Sequence, residues 1–271
     1  MTATRLSLGL AGSADPEVVR AAARAAEDAG FHALWLNDTP AGDALTGLVE
    51  AASVTTRLRL ATGVIPLDRR PADAVAADVD GLGLPRERLV LGVGSGHAKP
   101  PLPLVRVGLT ELRASLPDVH LVLGALGPAM RRTAARHADG PLLSWLTPAA
   151  ASAARDEALA DAEAAGRPAP DVVLYTRTVV SADAVPALEA ESARYAGYPN
   201  YAAHFARVGH GALDSTIRGT DPQALADGIR AYDGTVDELV LRAITAEETP
   251  DAVRAFVEAV ARIRPAERAR G

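Results

Sequence analysis

Two glycine-rich stretches, Gly92-Val-Gly94-Ser-Gly96 and Gly124-Ala-Leu-Gly127-Pro128, are the residues in this chain best suited to hold a charged ligand. Glycines let backbone N–H groups approach an anion, and a helix N-terminus behind them adds a favourable dipole. The second stretch leads into a helix-forming segment, Ala129–His137, and reads as a phosphate cradle; tight strand-to-helix turns would use the same glycines. The side-chain inventory is otherwise sparse. The six histidines, at 32, 97, 120, 137, 204 and 210, lack the H-x-x-x-H spacing of a helical metal site. His97 and His204 fall in segments able to reach a ligand, although a solvated loop explains either as well. There is no cysteine, which excludes thiolate metal sites, iron–sulfur clusters and disulfides. No G-x-S-x-G nucleophile elbow is present. Lys99 is the only lysine, which argues against a Schiff-base aldolase. A phosphate cradle with few reactive side chains points to chemistry supplied by a cofactor. Arg177 and Arg242 could reach an acidic substrate or the anionic part of such a cofactor, and Trp145 could wall a pocket. Surface charge pairing and core packing are the plainer explanations for the same residues.

These residues need elements to position them. Short apolar runs recur at Arg5–Leu10, Ala33–Asp38, Leu58–Ile65, Leu89–Gly94, Val119–Gly124, Pro141–Leu146, Val172–Arg177 and Leu239–Ala243. They are rich in Leu, Val and Ile with little alternation, as strands buried on both faces are. Helical patterns lie between them. Asp15-Pro16-Glu17 opens one that Gly30 ends, Thr147-Pro148 opens one that Gly166 ends, and Thr249-Pro250-Asp251 opens the last. Eight βα units in 271 residues predict an α/β fold, a (β/α)₈ TIM barrel spanning 1–271 as one domain. The gap between strands 7 and 8 is about twice the usual βα spacing, so residues 195–219 are expected as an insertion. Within it, Tyr198, Tyr201 and Phe205 stand at helical spacing and predict a buried helix face, or alternatively a substrate lid. A doubly wound sheet would need G-x-G-x-x-G opening directly into a helix, whereas Gly92–Gly96 opens into the loop His97-Ala-Lys-Pro-Pro.

The composition is ordinary for a globular protein: 48% hydrophobic and 23% charged, with a net charge of −6. No basic face suggests nucleic-acid binding. No apolar stretch reaches the roughly 18 residues of a membrane span, and the N-terminal residues do not read as a signal peptide. A cytoplasmic protein acting on a small-molecule substrate is expected, with no nucleic-acid or membrane partner.

Taken in order, certain segments resemble the bacterial luciferase-like superfamily of flavin- and deazaflavin-dependent oxidoreductases. They are Gly30-Phe-His-Ala-Leu-Trp35-Leu-Asn-Asp38, Arg57-Leu-Arg-Leu-Ala-Thr62-Gly63-Val64-Ile-Pro66-Leu-Asp-Arg69-Arg70-Pro71, Leu84-Pro-Arg-Glu-Arg88 through Gly94-Ser95-Gly96, and Gly124-Ala125-Leu126-Gly127-Pro128. Ala138-Asp-Gly140 and Trp145-Leu-Thr-Pro148 complete the set. The resemblance implies a cofactor ring stacked at the end of strand three, on Thr62, Gly63 and Val64, with a non-prolyl cis peptide at Gly63–Val64. It implies a cofactor phosphate held by Gly94, Ser95 and Gly96 together with Gly124, Ala125, Leu126 and Gly127. It also implies contacts from Asp38 and Thr39. The deazaflavin branch often has Asp-His at the end of strand two, where this chain has Asp38-Thr39, so the adjacent catalytic histidine does not carry over. Thr39 cannot act as a base near neutral pH. Asp38 is therefore expected to orient the ring and His204 to donate a proton. Trp145 and Arg177 are expected on the substrate side. Coenzyme F420 is favoured over FMN by the Asp38 and Gly63-Val64 motifs and by the Arg-rich, Lys-poor composition. No metal is expected. A homodimer accords with the family habit. An FMN monooxygenase, a non-catalytic flavin-binding barrel and a different barrel enzyme are the competing readings.

Overall fold

The computed structural model describes residues 3–263; the expected span 1–271 runs past these at both ends. Eight parallel strands close into a barrel: β1 (Arg5–Ala11), β2 (Ala33–Asn37), β3 (Arg59–Pro66), β4 (Leu89–Gly94), β5 (His120–Gly124), β6 (Gly140–Ser144), β7 (Val173–Val179) and β9 (Glu238–Ala243). They pair in chain order. β6 joins β7, β7 joins β9, and β9 returns to β1 through Leu8↔Leu241. The fold is the predicted (β/α)₈ TIM barrel. One addition was not legible: β8 (Ile217–Arg218), two residues long, pairs on the outer end of β7 through Thr178↔Ile217.

The strands are apolar on both faces because each face has its own core. Outward residues such as Leu8, Leu34, Leu60, Leu91, Leu121 and Leu241 pack under the helices. Inward residues, among them Ala33, Trp35, Ala61, Val122, Leu142, Tyr175 and Val240, fill the barrel. Tyr175 lies across the lumen and donates to the Trp35 carbonyl at 3.3 Å. A Cβ on Gly9 would come within 2.6 Å of its hydroxyl, so only glycine fits there. Trp35 is fully buried, and its Nε1 donates to Glu238 at 2.6 Å.

The helices are α1 (Pro16–Asp28), α2 (Ala44–Ala52), α3 (Ala72–Gly81), α4 (Pro101–Ser115), α5 (Pro128–His137), α6 (Pro148–Ala164), α7 (Val185–Ala196), α8 (Pro199–Val208), α9 (Pro222–Arg230) and α10 (Pro250–Ile263). Thr147 and Thr249 cap α6 and α10 through their hydroxyls, as their types predict; Asp15 makes no side-chain cap on α1. α9 sends Leu225 and Ile229 into the outer core. The main contacts of α7 lie elsewhere: Leu188 packs with Val179, Ala184 and Ile244 in a separate cluster beyond β7. The expected insertion thus contains the last turn of α7, all of α8 and β8. Of its aromatic residues, Phe205 is buried, but Tyr198 is 45% exposed. Pro199 starts α8, which leaves Tyr198 at the N-cap and off the buried face. Among the described residues no helix is long and apolar enough to cross a membrane.

Candidate functional site

The residue at the top of each strand's inward face follows from register. On β7 and β9 the inward pairs are Val173↔Glu238, Tyr175↔Val240 and then Arg177↔Arg242. Asn37, Gly94, Gly124 and Ser144 are the last inward residues of β2, β4, β5 and β6. Between β3 and β4 the register slips after Gly63, and this slip turns Val64 inward. The mouth is therefore small and apolar on the β3–β5 side and cationic on the β7–β9 side.

On the small side the Gly63–Val64 peptide is cis, at the position the resemblance implies. The Asn37 amide donates to the Gly63 carbonyl. The Val64 side chain lies against two glycines. A Cβ at Gly94 would be 2.8 Å from it, and one at Gly124 would be 3.0 Å away. These glycines leave a flat floor beside Val64. Thr62 corrects its expected role. Its hydroxyl is fully buried, donating to the Gly92 carbonyl and accepting from the Gly92 N–H, both at 3.0 Å, so it belongs to the strand.

The two loops beyond the floor are not equivalent. After β4, the Asp68 carboxylate accepts from the His97 N–H at 2.7 Å, and a Cβ on Gly96 would overlap it. A phosphate placed there would meet a carboxylate, which corrects the expectation for Gly96. After β5, Ala125 is likewise committed, donating its N–H to Leu142 at 3.0 Å. Leu126 and Gly127 then lead to the N-terminus of α5. Arg131 donates to the Leu126 carbonyl at 3.1 Å and Arg207 of α8 at 3.5 Å, with Arg207 also beside Gly127. Arg131, which also pairs with Glu157 at 3.4 Å, and Arg207 thus flank the loop at the N-terminus of α5.

Asp38 accepts from Arg69 at 2.7 Å and from the Ala44 N–H at 3.3 Å. Burial raises its pKa above the usual carboxylate value, against the opposing pull of the Ala44 N–H, Arg70 and Arg69. Its neighbour Thr39 has a buried hydroxyl with no partner among the described residues, and so has the Trp145 indole N–H. Thr39 follows β2 and Trp145 follows β6. The Trp145 ring is 1% exposed and packs with Phe205, Ala212 and Tyr195, so it lies within protein and not on an open pocket wall, which corrects its expected place on the substrate side.

Trp145 is a non-glycine residue in the left-handed region, with φ of 57°. That conformation costs on the order of 1–2 kcal/mol. Its surroundings hold it there: the His204 Nε2–H donates to the Trp145 carbonyl at 3.1 Å, and the Arg177 guanidinium lies 4.0 Å over its ring. His204 corrects the proton-donor expectation. It is 1% exposed, its N–H is spent on that carbonyl, and burial, foremost, lowers its pKa and keeps it neutral. It positions Trp145. Arg177 is corrected in the same way. It is 4% exposed, paired with Glu191 at 3.1 Å, bonded to Ser144 at 2.7 Å and stacked on Tyr195 at 4.7 Å. It ties β6, β7 and α7 together and has no face left for a substrate.

A family model for luciferase-like monooxygenases matches residues 1–119 and 109–266. The chain belongs to this family. Among curated proteins, none matches it in sequence. Its fold is similar to that of an F420-dependent secondary alcohol dehydrogenase solved with an F420-acetone adduct, at TM-score 0.77 and 15% identity over 97% of this chain and 100% of the other. It is similar to the F420-dependent tetrahydromethanopterin reductase of Methanopyrus kandleri, at TM-score 0.72 and 18% identity over 97% and 100%. The monooxygenase RslO1 of Streptomyces bottropensis aligns at TM-score 0.69 and 16% identity over 96% and 98%. Luciferase-like neighbours thus include F420-dependent enzymes and monooxygenases on one barrel. Sequence reasoning missed the partners that organise this mouth: Asn37, Asp68, Arg69, Arg131, Glu191 and Arg207. Asn37, Asp68 and Arg69 carried a signal, since they lie in the segments of the resemblance at the ends of strands two and three.

Proposed function

We propose that this chain is an oxidoreductase that holds coenzyme F420 at the barrel mouth and transfers hydride to or from a small organic substrate. When bound, the deazaflavin supplies the hydride acceptor or donor. The observation that carries the reading is the shaped mouth: a flat floor at Gly63, Val64, Gly94 and Gly124 leads to a cationic cradle at Leu126–Gly127. The partnerless Thr39 hydroxyl, next to Asp38 at the end of β2, suits the polar edge of such a ring. Asp38, fixed by Arg69, sets the electrostatics at the end of β2. Ser95 borders the mouth on the β4 side. Two of the similar folds use F420, and the Gly63-Val64 and Asp38 motifs favour it. FMN with oxygen activation is the second reading, since a monooxygenase shares the fold.

Arg207 tests the cradle. It is exposed on α8 and donates only to Leu126 among the described residues, so Arg207→Glu should fold. The account expects this variant to bind F420, measured by fluorescence titration, at least about 10-fold more weakly, because a carboxylate replaces a guanidinium beside the phosphate. Unchanged affinity would move the phosphate away from α5.

A further inference from the structure

The β7–β9 side of the mouth carries more positive charge than its own groups neutralise. Arg177, Arg194 and Arg242 surround one carboxylate, Glu191. Arg177 pairs with it at 3.1 Å and Arg194 at 3.7 Å. Burial pushes the Glu191 carboxyl upward, but Arg242, Arg177 and Arg194 outweigh that and hold it below its ordinary range. Burial raises the pKa of Tyr175 and Tyr201 alongside, so they bring no compensating negative charge.

The two lumen-facing arginines differ in what they have left to give. Arg177 is consumed by Glu191, Ser144 and the Trp145 ring. Arg242, its register partner on β9, is half-buried and donates only to the adjacent Ala243 carbonyl. Among the described residues no carboxylate oxygen lies within the 4.0 Å of an ion pair from its guanidinium. A guanidinium carries five N–H donors in a fork that fits a carboxylate. The carboxylate it is coupled to, Glu191, is shared with Arg177 and Arg194, and an anionic ligand would offset the remaining positive charge. The cofactor cradle at α5 lies three strands away around the barrel, so the two cationic centres serve different groups.

We propose that Arg242 receives the carboxylate of an anionic substrate, so that this chain acts on small organic acids. The inference rests on reading the mouth as the reaction site.

The test uses the purified full chain without added cofactor. Calorimetric titration with benzoate, benzamide and inorganic phosphate separates charge from shape. Benzoate should bind saturably and at least about 10-fold tighter than benzamide. Arg242→Gln should erase that preference, and Arg242→Lys, which keeps the charge, should retain part of it. Benzoate should still bind after F420 or FMN is added. Equal binding of benzoate and benzamide, no binding of benzoate, a preference untouched by Arg242→Gln, or phosphate replacing benzoate as the Arg242-dependent ligand would each overturn the proposal. So would mutual exclusion of benzoate and cofactor. A chain that binds benzoate in this way but neither cofactor would instead sink the cofactor reading, which keeps the two failures distinct.

Discussion

His32 and His204 show how burial reassigns a residue whose type suggests proton chemistry. His204 sits at the mouth with its N–H fixed on Trp145, so it fixes a backbone turn instead of moving a proton. His32 lies at the opposite end of the barrel, 3.8 Å from Glu238. Burial, reinforced by Arg5 and Arg59, lowers its pKa from 6.5 to about 4. The unfolded chain therefore takes up a proton at this site near pH 6.5, while the folded chain resists until about pH 4. Stability should fall as pH drops through that window, by at most about 3 kcal/mol from this group. His120, lowered chiefly by burial, acts with the same sign. Glu238, raised chiefly by burial, acts against it, because the folded chain protonates that carboxyl first. Urea unfolding at pH 7, 6, 5 and 4 should show declining stability, with a shallower decline for His32→Gln. Equal slopes for the two proteins would contradict the assignment. The sequence could not reveal this environment, because Glu238 and Arg5 reach His32 only through barrel closure.

At the scale of elements, what was legible follows from physics that is local in sequence. The eight barrel strands read as apolar runs because both faces of a parallel sheet are buried. The two residues of β8 are too few to make such a run, and their pairing depends on where α8 delivers the chain. The buried bonding of the Thr62 hydroxyl was not legible, because its partner Gly92 lies 30 residues away on the neighbouring strand. The glycines at 94 and 124 were recognised as special, but their physical reason is contact with Val64 as much as approach to an anion. This yields an element-level prediction. Gly124→Val would press a branched side chain onto Val64 and raise the floor between β3 and β5. Overpacking of this kind costs about 1–3 kcal/mol. Denaturant unfolding should register that loss, and FMN or F420 affinity should fall with it. A variant with wild-type stability and wild-type affinity would show that the floor is not where the ring lies.

Across the whole molecule, a chain of net charge −6 concentrates arginines at the mouth: Arg131 and Arg207 by α5, and Arg177, Arg194 and Arg242 by β7 and β9. None of this was visible in composition, since the pairings span up to 81 residues, as for Arg207 and Leu126. A groove of about 800 Å³ lies between α1 and α10, but charged side chains and alanines line it on the outside of the helical ring, where no strand end reaches. The strand ends instead hold the Gly63–Val64 floor and the arginines beside α5. The proposed function has this mouth bind a deazaflavin in preference to a flavin. Parallel fluorescence titrations of the purified chain with F420 and with FMN test it most directly. Saturable F420 binding, tighter than that of FMN, is the predicted result; tighter binding of FMN, or binding of neither, would contradict it.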